Sequence, residues 1–224
     1  MKNIIMDCDG VLYPLSELPT FRIISAAKET YRKDLGITGE EQAGISEQTI
    51  HDGRLGLFNY IKALCEYKNF NFNKFCDNMA ERIDYGNIRP NMSLWKKLQT
   101  LSSQYNLAVL SNNSRPHIEK VTQRLFSKSI SEMEDAGIKI FDITSLKGFD
   151  GWFRPKREPC SLNIFLKNNG YNPSESILFD DTMQNITAAH RAGMRATLIT
   201  ENNTLENNLQ SFIRMPYVRG NTHE

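Results

Sequence analysis

The chain has 224 residues, of which 40% are apolar and 24% are charged, a balance typical of a globular protein. Its formal net charge of +1 gives no indication of a surface for nucleic acid or membrane. No stretch reaches the roughly 18 apolar residues of a membrane helix, and the N-terminal apolar run is too short for a signal peptide. The cysteines form no CxxC pair, which indicates reduced thiols in a cytoplasmic protein; they are Cys8, Cys65, Cys76 and Cys160.

A short apolar run over residues 3–6 comes first and ends in Asp7-Cys8-Asp9-Gly10. A hydrophobic stretch that stops at Asp and Gly predicts a buried strand and then a turn. From there to about residue 88 the apolar residues recur at helical spacing, so we expect helices, with Thr20 capping the first and Gly36 just past its end. The expected buried faces are Phe21, Ile24, Ala27, Tyr31 and Leu35; Leu57, Phe58, Ile61, Leu64 and Cys65; and Phe72, Phe75, Met79 and Ile83.

From about Pro90 the pattern alternates between helix and strand. Strands are expected over residues 106–110, 138–143, 176–179 and 195–199. Helices between them have the apolar faces Leu94, Leu98 and Leu101; Ile118, Val121 and Leu125; and Leu162, Phe165 and Leu166. This alternation predicts a parallel sheet covered on both faces. The expected class is α/β, with a three-layer Rossmann-like core (residues 1–14 and 89–224) and an inserted all-helical domain (15–88).

Three of the expected strands end in polar residues, namely Asp7 and Asp9, Ser111 and Asn112, and Asp180 and Asp181. Parallel strands bring their carboxyl ends to one edge of the sheet, where ligands bind in open α/β folds. Carboxylates gathered there without a balancing basic cluster would repel one another. A hard divalent cation relieves this repulsion, and Mg²⁺ held by carboxylates, water and a substrate phosphate fits best.

Four segments, in chain order, resemble the four motifs of the haloacid dehalogenase (HAD) superfamily. Residues 6–12 (MDCDGVL) are similar to the first motif, DxDGxL after a hydrophobic strand, and residues 107–112 (LAVLSN) to the second. Lys156 corresponds to the third motif, and residues 178–185 (LFDDTMQN) are similar to the fourth, DDxxxN. The resemblance covers residues 3–200.

The resemblance implies a phosphohydrolase that works through an aspartyl phosphate. Asp7 would be the nucleophile, and Asp9 would protonate the leaving oxygen and then accept a proton from the hydrolytic water. Ser111, Asn112 and Lys156 would bind the phosphoryl group. The implied Mg²⁺ ligands are Asp7, Asp9 (through its backbone carbonyl), Asp180 and Asp181.

The third motif departs from the family pattern, because Arg157 stands where proline usually follows the lysine. Arg154 and Arg157 therefore remain alternatives to Lys156 as the cation of the site. The implied mechanism needs no histidine, so we expect the four histidines to be surface or packing residues; they are His51, His117, His190 and His223.

The presence of Asp9 indicates a phosphate ester, since the dehalogenases of the superfamily generally lack an acid there. The helical insertion resembles a C1-type cap, which closes over small substrates, so we expect a small phosphorylated metabolite as the partner, with no nucleic acid or membrane. Within that group, residues 53–57 and 83–91 resemble the pyrimidine 5′-nucleotidase branch, although Asn91 replaces its aspartate.

The expected substrate is therefore a pyrimidine nucleoside 5′-monophosphate, with Phe58, Tyr60 and Tyr85 as candidates for facing it. The alternatives are a sugar phosphatase, a phosphoglycolate-type phosphatase or a phosphoglucomutase. An alternative of a different class is a phosphate-binding protein without catalytic activity.

Overall fold

A computed structural model describes residues 1–51 and 56–214 and forms a five-stranded parallel sheet. The strands are β1 (Asn3–Met6), β2 (Asn106–Leu110), β3 (Ile138–Phe141), β4 (Ser176–Asp180) and β5 (Arg195–Leu198). Their order is β3-β2-β1-β4-β5, which puts β1 at the centre. All four residues of β1 are buried, as expected for a central parallel strand with helices on both faces.

The register of the sheet determines which polar residues meet. Met6, the last residue of β1, lies opposite Val109 of β2 and Phe179 of β4. The backbone N–H of Asp7 then donates to the carbonyl of Phe179 at 2.8 Å. The segments that follow β1, β2 and β4 consequently leave the sheet at one edge.

Helices flank the sheet and fill the insertion between β1 and β2. Before β2 they are α1 (Thr20–Asp34), α2 (Gly39–His51), α3 (Leu57–Tyr67), α4 (Phe72–Glu81) and α5 (Met92–Ser102). After β2 they are α6 (Arg115–Phe126), α7 (Ile130–Asp135), α8 (Pro159–Asn168), α9 (Met183–Arg191) and α10 (Leu205–Arg214). The predicted class, an α/β core with an all-helical insertion, is confirmed. Within the described ranges, no helix has the length and apolar character needed to cross a membrane.

Among the contacts between the helical insertion and the rest of the molecule, two involve the insertion's connecting segments and the loop before Lys156. The segments that enter and leave it meet where Arg89 Nε lies 2.7 Å from Glu17 Oε1 and the Arg89 N–H donates to Glu17 Oε2 at 3.1 Å. On α3, the buried Asn59 amide donates to the Phe153 carbonyl at 2.9 Å and accepts from the Phe153 N–H at 2.8 Å. Phe153 belongs to the loop that leads to Lys156, so this contact joins the insertion to that loop.

The prediction for α1 is wrong in two respects. Pro19, not Thr20, is the N-cap residue, and no side chain caps this helix. Phe21 and Ile24 are 67% and 40% exposed, because the buried face is instead Ile23, Ala26, Ala27, Thr30 and Tyr31. The Thr30 hydroxyl donates to the Ala26 carbonyl at 2.8 Å, and this satisfied polar group lets a threonine occupy the buried face.

The sequence patterns also missed three helices and overextended one strand. Helix α2 is rich in Glu and Gln, α7 has six residues, and α10 follows the last predicted strand. β3 ends at Phe141 because the Asp142 side chain accepts from the Thr144 N–H at 3.2 Å and starts a 3₁₀ turn. Residues 53–55 of the glycine-leucine segment and His223 lie outside the described residues.

Candidate active site

A buried lysine joins the ends of β1 and β4. Lys156 Nζ lies 2.8 Å from Asp7 Oδ2 and 2.6 Å from Asp180 Oδ2, and its side chain is fully buried. Its backbone N–H donates to Asn112 Oδ1 at 2.9 Å, so the residue that follows the end of β2 also fixes this lysine. The structure therefore brings together Asp7, Asn112 and Asp180, which the sequence had placed at one edge, with Lys156, which the family resemblance implied.

The two flanking arginines do not take this position. Arg154 pairs with Asp150 at 2.7 Å and with Glu158 at 3.6 Å, and Arg157 is exposed. Burial lowers the pKa of Lys156, but the adjacent Asp180 and Asp7 carboxylates raise it above its ordinary value overall. The lysine is therefore a permanent cation between two carboxylates.

The charges around Asp7 favour the binding of a positive ion in addition to Lys156. Burial raises the pKa of Asp7 well above its ordinary value; Lys156 lowers it, whereas Asp180 and Asp9 raise it. Burial and the neighbouring Asp180 also raise the pKa of Asp181. These carboxyl groups are short of compensating charge, because several negative groups share one ammonium.

Asp7, Asp180 and Asp181 form a group that could hold a metal ion. Each offers a carboxylate oxygen, and these oxygens lie within 4.8 Å of one another. The Asp180 carboxylate is held by the Thr182 N–H at 2.9 Å and by Asn185 Nδ2 at 2.8 Å. An all-oxygen set of this kind suits Mg²⁺, and with all three ionised beside Lys156 it has two uncompensated negative charges. The residues present therefore fit a divalent cation.

Gly10 makes room for this group. Its φ of +74° lies in the left-handed region, which favours glycine. A Cβ at this position would lie only 2.7 Å from Asp181 Cγ and would overlap the carboxylate. Any larger residue after Asp9 would therefore push Asp181 away from the site.

The Asp9 carboxylate lies apart from the metal group and accepts hydrogen bonds from three side chains. His117 Nε2 lies 2.8 Å from its Oδ1, which Tyr13 also contacts through its hydroxyl, and Asn113 Nδ2 donates to its Oδ2 at 3.0 Å. Burial raises the pKa of Asp9, but His117 and these hydrogen bonds lower it below its ordinary value overall. The structure therefore favours an ionised, fixed Asp9.

His117 is the site residue that the sequence analysis dismissed. It is fully buried and contacts Asp9, so it is not a surface histidine, and both of its ring nitrogens have polar partners. Its position offered a signal, because it lies in the first turn of α6, just after the polar end of β2. Of the other histidines, His190 is exposed.

Ser111 and Asn112 lie at the predicted edge but are engaged within the protein. Ser111 is buried, and its Oγ accepts from the Asn113 N–H at 3.0 Å. The side-chain Oδ1 of Asn112 accepts from the backbone N–H of Lys156. Their predicted role in binding phosphate therefore depends on groups not used in these contacts, namely the serine hydroxyl hydrogen and the asparagine NH₂.

The comparisons with known proteins agree with this geometry. Residues 4–199 match the family of haloacid dehalogenase-like hydrolases. The chain belongs to this family. No curated protein sequence is a significant match for this hydrolase.

Solved structures with low sequence identity share the fold. CbbY from Rhodobacter sphaeroides, in complex with phosphate, has 18% identity and a TM-score of 0.54, covering 91% of this chain and 88% of that one. A HAD family enzyme from Bacteroides thetaiotaomicron, in complex with magnesium and inorganic phosphate, has 20% identity and a TM-score of 0.53, covering 89% and 94%. A β-phosphoglucomutase-like protein from Thermotoga maritima has 16% identity and a TM-score of 0.51, covering 96% and 99%.

In this HAD-like hydrolase, a cleft of about 360 Å³ opens between the helical insertion and the carboxyl edge of the sheet. Its lining includes Ile24, Phe58, Asn112, Asn113, Arg157 and Gln184. Three other cavities are larger, two of about 620 Å³ and one of about 370 Å³, but of these four it is the cleft that Asn112 and Asn113 line. Of the three aromatic residues expected to face a substrate, Phe58 lines this cleft. Tyr60 instead packs edge-on against Tyr31, and Tyr85 contacts His117.

Proposed function

We propose that this hydrolase cleaves a small phosphate monoester by attack of Asp7 on phosphorus. The observation that carries the proposal is the buried contact of Lys156 with both Asp7 and Asp180, with the Asp9 carboxylate held separately nearby. Asp7, which is paired with the Lys156 cation, suits the role of nucleophile. Asp9, which is fixed by hydrogen bonds, suits the role of acid and base. The complexes of CbbY with phosphate and of the Bacteroides enzyme with magnesium and phosphate support this chemistry.

In the first step, an Asp7 oxygen forms a bond to phosphorus while the bond to the leaving oxygen breaks and Asp9 gives that oxygen a proton. In the second step, a water oxygen forms a bond to phosphorus while the bond between phosphorus and the Asp7 oxygen breaks and Asp9 takes a proton from the water; inorganic phosphate leaves, and the Asp7 carboxylate is restored. The ionised state that the structure favours for Asp9 suits the second step. For the first step Asp9 must be protonated, and a bound phosphate dianion would raise its pKa in that direction.

We propose Mg²⁺ as the cofactor, held by Asp7, Asp180 and Asp181, with the backbone carbonyl of Asp9 as a further ligand. When bound, it would supply positive charge to the phosphoryl oxygens and to the carboxylates. Lys156 supplies fixed positive charge beside Asp7 and Asp180, and Ser111 and Asn112 would contact phosphoryl oxygens. Activity should disappear with a chelator and return with Mg²⁺; full activity after exhaustive chelation would contradict the proposal.

For the whole substrate, we propose a pyrimidine nucleoside 5′-monophosphate. It would bind under the helical insertion (residues 15–88), which would act as a C1-type cap. We also propose that the protein works in the cytoplasm. The aromatic ring of Phe58 and the apolar Ile24 in the cleft support a flat, ring-containing group. Stacking of a base on an aromatic ring is worth about 1–3 kcal/mol. UMP and CMP should therefore be turned over faster than sugar phosphates, and Phe58→Ala should remove this preference.

A sugar phosphate is the second candidate, and a specific observation favours it. A structure of a mutant of CbbY is a complex with xylulose-1,5-bisphosphate, a sugar with two phosphates, and the exposed Arg157 lines the cleft here. Kinetic constants for UMP, a sugar monophosphate, a sugar bisphosphate and phosphoglycolate separate the candidates. A preference for a bisphosphate that Arg157→Gln abolishes would replace the nucleotidase proposal while leaving the hydrolytic mechanism unchanged.

A further inference from the structure

His117 lies in the first turn of α6 and has a polar partner at each end of its ring. Nε2 lies 2.8 Å from Asp9 Oδ1, and Nδ1 lies 3.0 Å from the hydroxyl of Tyr85. Tyr85 belongs to the segment that returns from the helical insertion after α4. All three side chains are buried or nearly so, and the chain of contacts runs from the insertion to Asp9.

The chemistry of these contacts limits the direction of each hydrogen bond. Asp9 Oδ1 also accepts from the Tyr13 hydroxyl, so Asp9 is an acceptor and His117 Nε2 must have the hydrogen. When the imidazole is neutral, Nδ1 is then an acceptor to which the Tyr85 hydroxyl can donate; when both nitrogens have a hydrogen, Nδ1 donates to the Tyr85 oxygen instead, so the contact holds in either state. Burial, first, and the charge of Asp9 raise the pKa of Tyr85, so Tyr85 keeps the proton that this contact requires when the ring is neutral.

Burying a histidine at this position costs free energy, and apolar packing alone does not offset that cost. The other buried positions of α6 are the apolar Ile118, Val121, Leu125 and Phe126, and Thr122, whose hydroxyl donates to the Glu119 carbonyl of the same helix at 3.1 Å. Burying a polar ring there is unfavourable unless both nitrogens are paired, and both are. Both partners are long-range contacts in the sequence, to residues 9 and 85. The ring therefore specifies an orientation of Asp9 that an apolar residue could not.

We propose that His117 is a positioning residue that holds the Asp9 carboxylate in its reactive orientation, and that Tyr85 holds the other end of the His117 ring. This inference rests on the proposed role of Asp9 as the acid and base. Tyr13 and Asn113 hold the same carboxylate from other directions. Losing His117 should therefore weaken proton transfer by Asp9 without removing it.

The leaving group provides the readout, because a nitrophenolate scarcely needs a proton whereas an alkoxide does. Loss of one partner that orients an active-site ligand typically costs about 10-fold to 100-fold. His117→Ala should lower kcat by about this factor for glycerol 1-phosphate, and by much less for p-nitrophenyl phosphate. A purely structural defect would lower both rates by the same factor.

A double-mutant cycle with Asp9→Asn tests whether His117 acts through Asp9. In that background, His117→Ala should produce no further loss with glycerol 1-phosphate, because the group that it positions is already absent. Multiplicative losses in the double variant would overturn the proposal. If instead Asp9→Asn itself shows no dependence on the leaving group, the proposed role of Asp9 fails.

Conservative variants keep the test valid if His117→Ala fails to fold. His117→Gln can place an NH₂ near the position of Nε2 and should recover much of the rate with glycerol 1-phosphate, while Tyr85→Phe should show a smaller loss of the same kind. Val121→Ala is the matched control, since it creates a cavity in the buried face of the same helix. It should lower stability and leave the ratio of the two rates unchanged; a changed ratio there, or no recovery with glutamine, would contradict the inference.

Discussion

Asp7 combines deep burial with a position between a cation and another carboxylate. Asp7→Asn keeps the size of the side chain and an oxygen that can accept from Lys156, but an amide cannot attack phosphorus as a carboxylate does. We expect turnover to fall below detection while the protein stays folded. Steady-state kinetics and a thermal melt of the same sample check this, and a variant that retains a tenth of the wild-type rate would refute the nucleophile assignment.

The close approach of Gly10 to Asp181 leads to a prediction about activity and magnesium binding. Gly10→Ala should weaken both activity and magnesium binding, because the new methyl group overlaps the Asp181 carboxylate. Gly36→Ala is the matched control, since Gly36 has a φ of +60° but no atom within 4 Å of an added Cβ. Both substitutions cost about 1–2 kcal/mol for a left-handed alanine. Magnesium titrations should therefore separate them, and equal affinities would show that Asp181 adapts.

At the scale of elements, the link between α3 and the loop before Lys156 can be tested directly. Asn59→Ala leaves the N–H and the carbonyl of Phe153 buried without these partners, at about 1–3 kcal/mol for each. We expect a clear loss in the free energy of unfolding and faster proteolysis within the loop. Urea denaturation and limited proteolysis measure these effects.

Asn71→Ala provides the comparison, because Asn71 is exposed and caps α4 through a single contact with the Lys74 N–H at 2.9 Å. Loss of such a cap costs about 1 kcal/mol. Asn71→Ala should leave the loop before Lys156 protected from proteolysis. A similar result for both asparagines would mean that Asn59 contributes no more than a local hydrogen bond.

The elements themselves were predictable to different degrees. β2 and β4 were identified almost to the residue, since buried parallel strands are short apolar runs that stop at polar residues. The face of α1 was misjudged because Phe21 is more hydrophobic than the buried Thr30, whose hydroxyl is satisfied within the helix. α2 has few apolar residues, so periodicity had little to detect.

The molecule as a whole should respond to magnesium in a way that depends on pH. Burial and neighbouring carboxylates raise the pKa of Asp7 and Asp181 above the ordinary 3.8. As pH rises above 3.8, the unfolded chain loses these protons before the folded protein does. The contribution of Asp7 and Asp181 to the free energy of unfolding of the metal-free protein therefore falls with rising pH until their raised pKa values are passed.

Magnesium should reverse this trend, because it binds the ionised carboxylates and competes with protons. A concentration of 100 times Kd stabilises the folded state by about 2.7 kcal/mol. The thermal shift at a fixed Mg²⁺ concentration should therefore be largest at neutral pH and shrink on acidification. Melts across a pH series check this, with Asp180→Asn as the control. A shift that is independent of pH would contradict a carboxylate site.

The convergence of the site residues could be predicted from the sequence, but their connections could not. Strand ends with Asp7, Ser111 and Asp180 share an edge in any parallel sheet, so this part of the site follows from topology. The contacts of Asp9 with His117, and of His117 with Tyr85, join residues 108 and 32 positions apart. No local pattern records such contacts, because they depend on where the helical insertion rejoins the core.

The pairing of Glu17 with Arg89 gives the insertion a mechanical character. This pair holds together the two chain segments that connect the insertion to the core. The insertion also contacts α6, where Lys120 pairs with Glu81 at 2.8 Å, and it contacts the loop before Lys156 through Asn59 and Phe153. Movement of α3 away from the core would have to break both Asn59–Phe153 hydrogen bonds or displace that loop. We therefore expect opening of the cleft on this side to be coupled to displacement of the lysine.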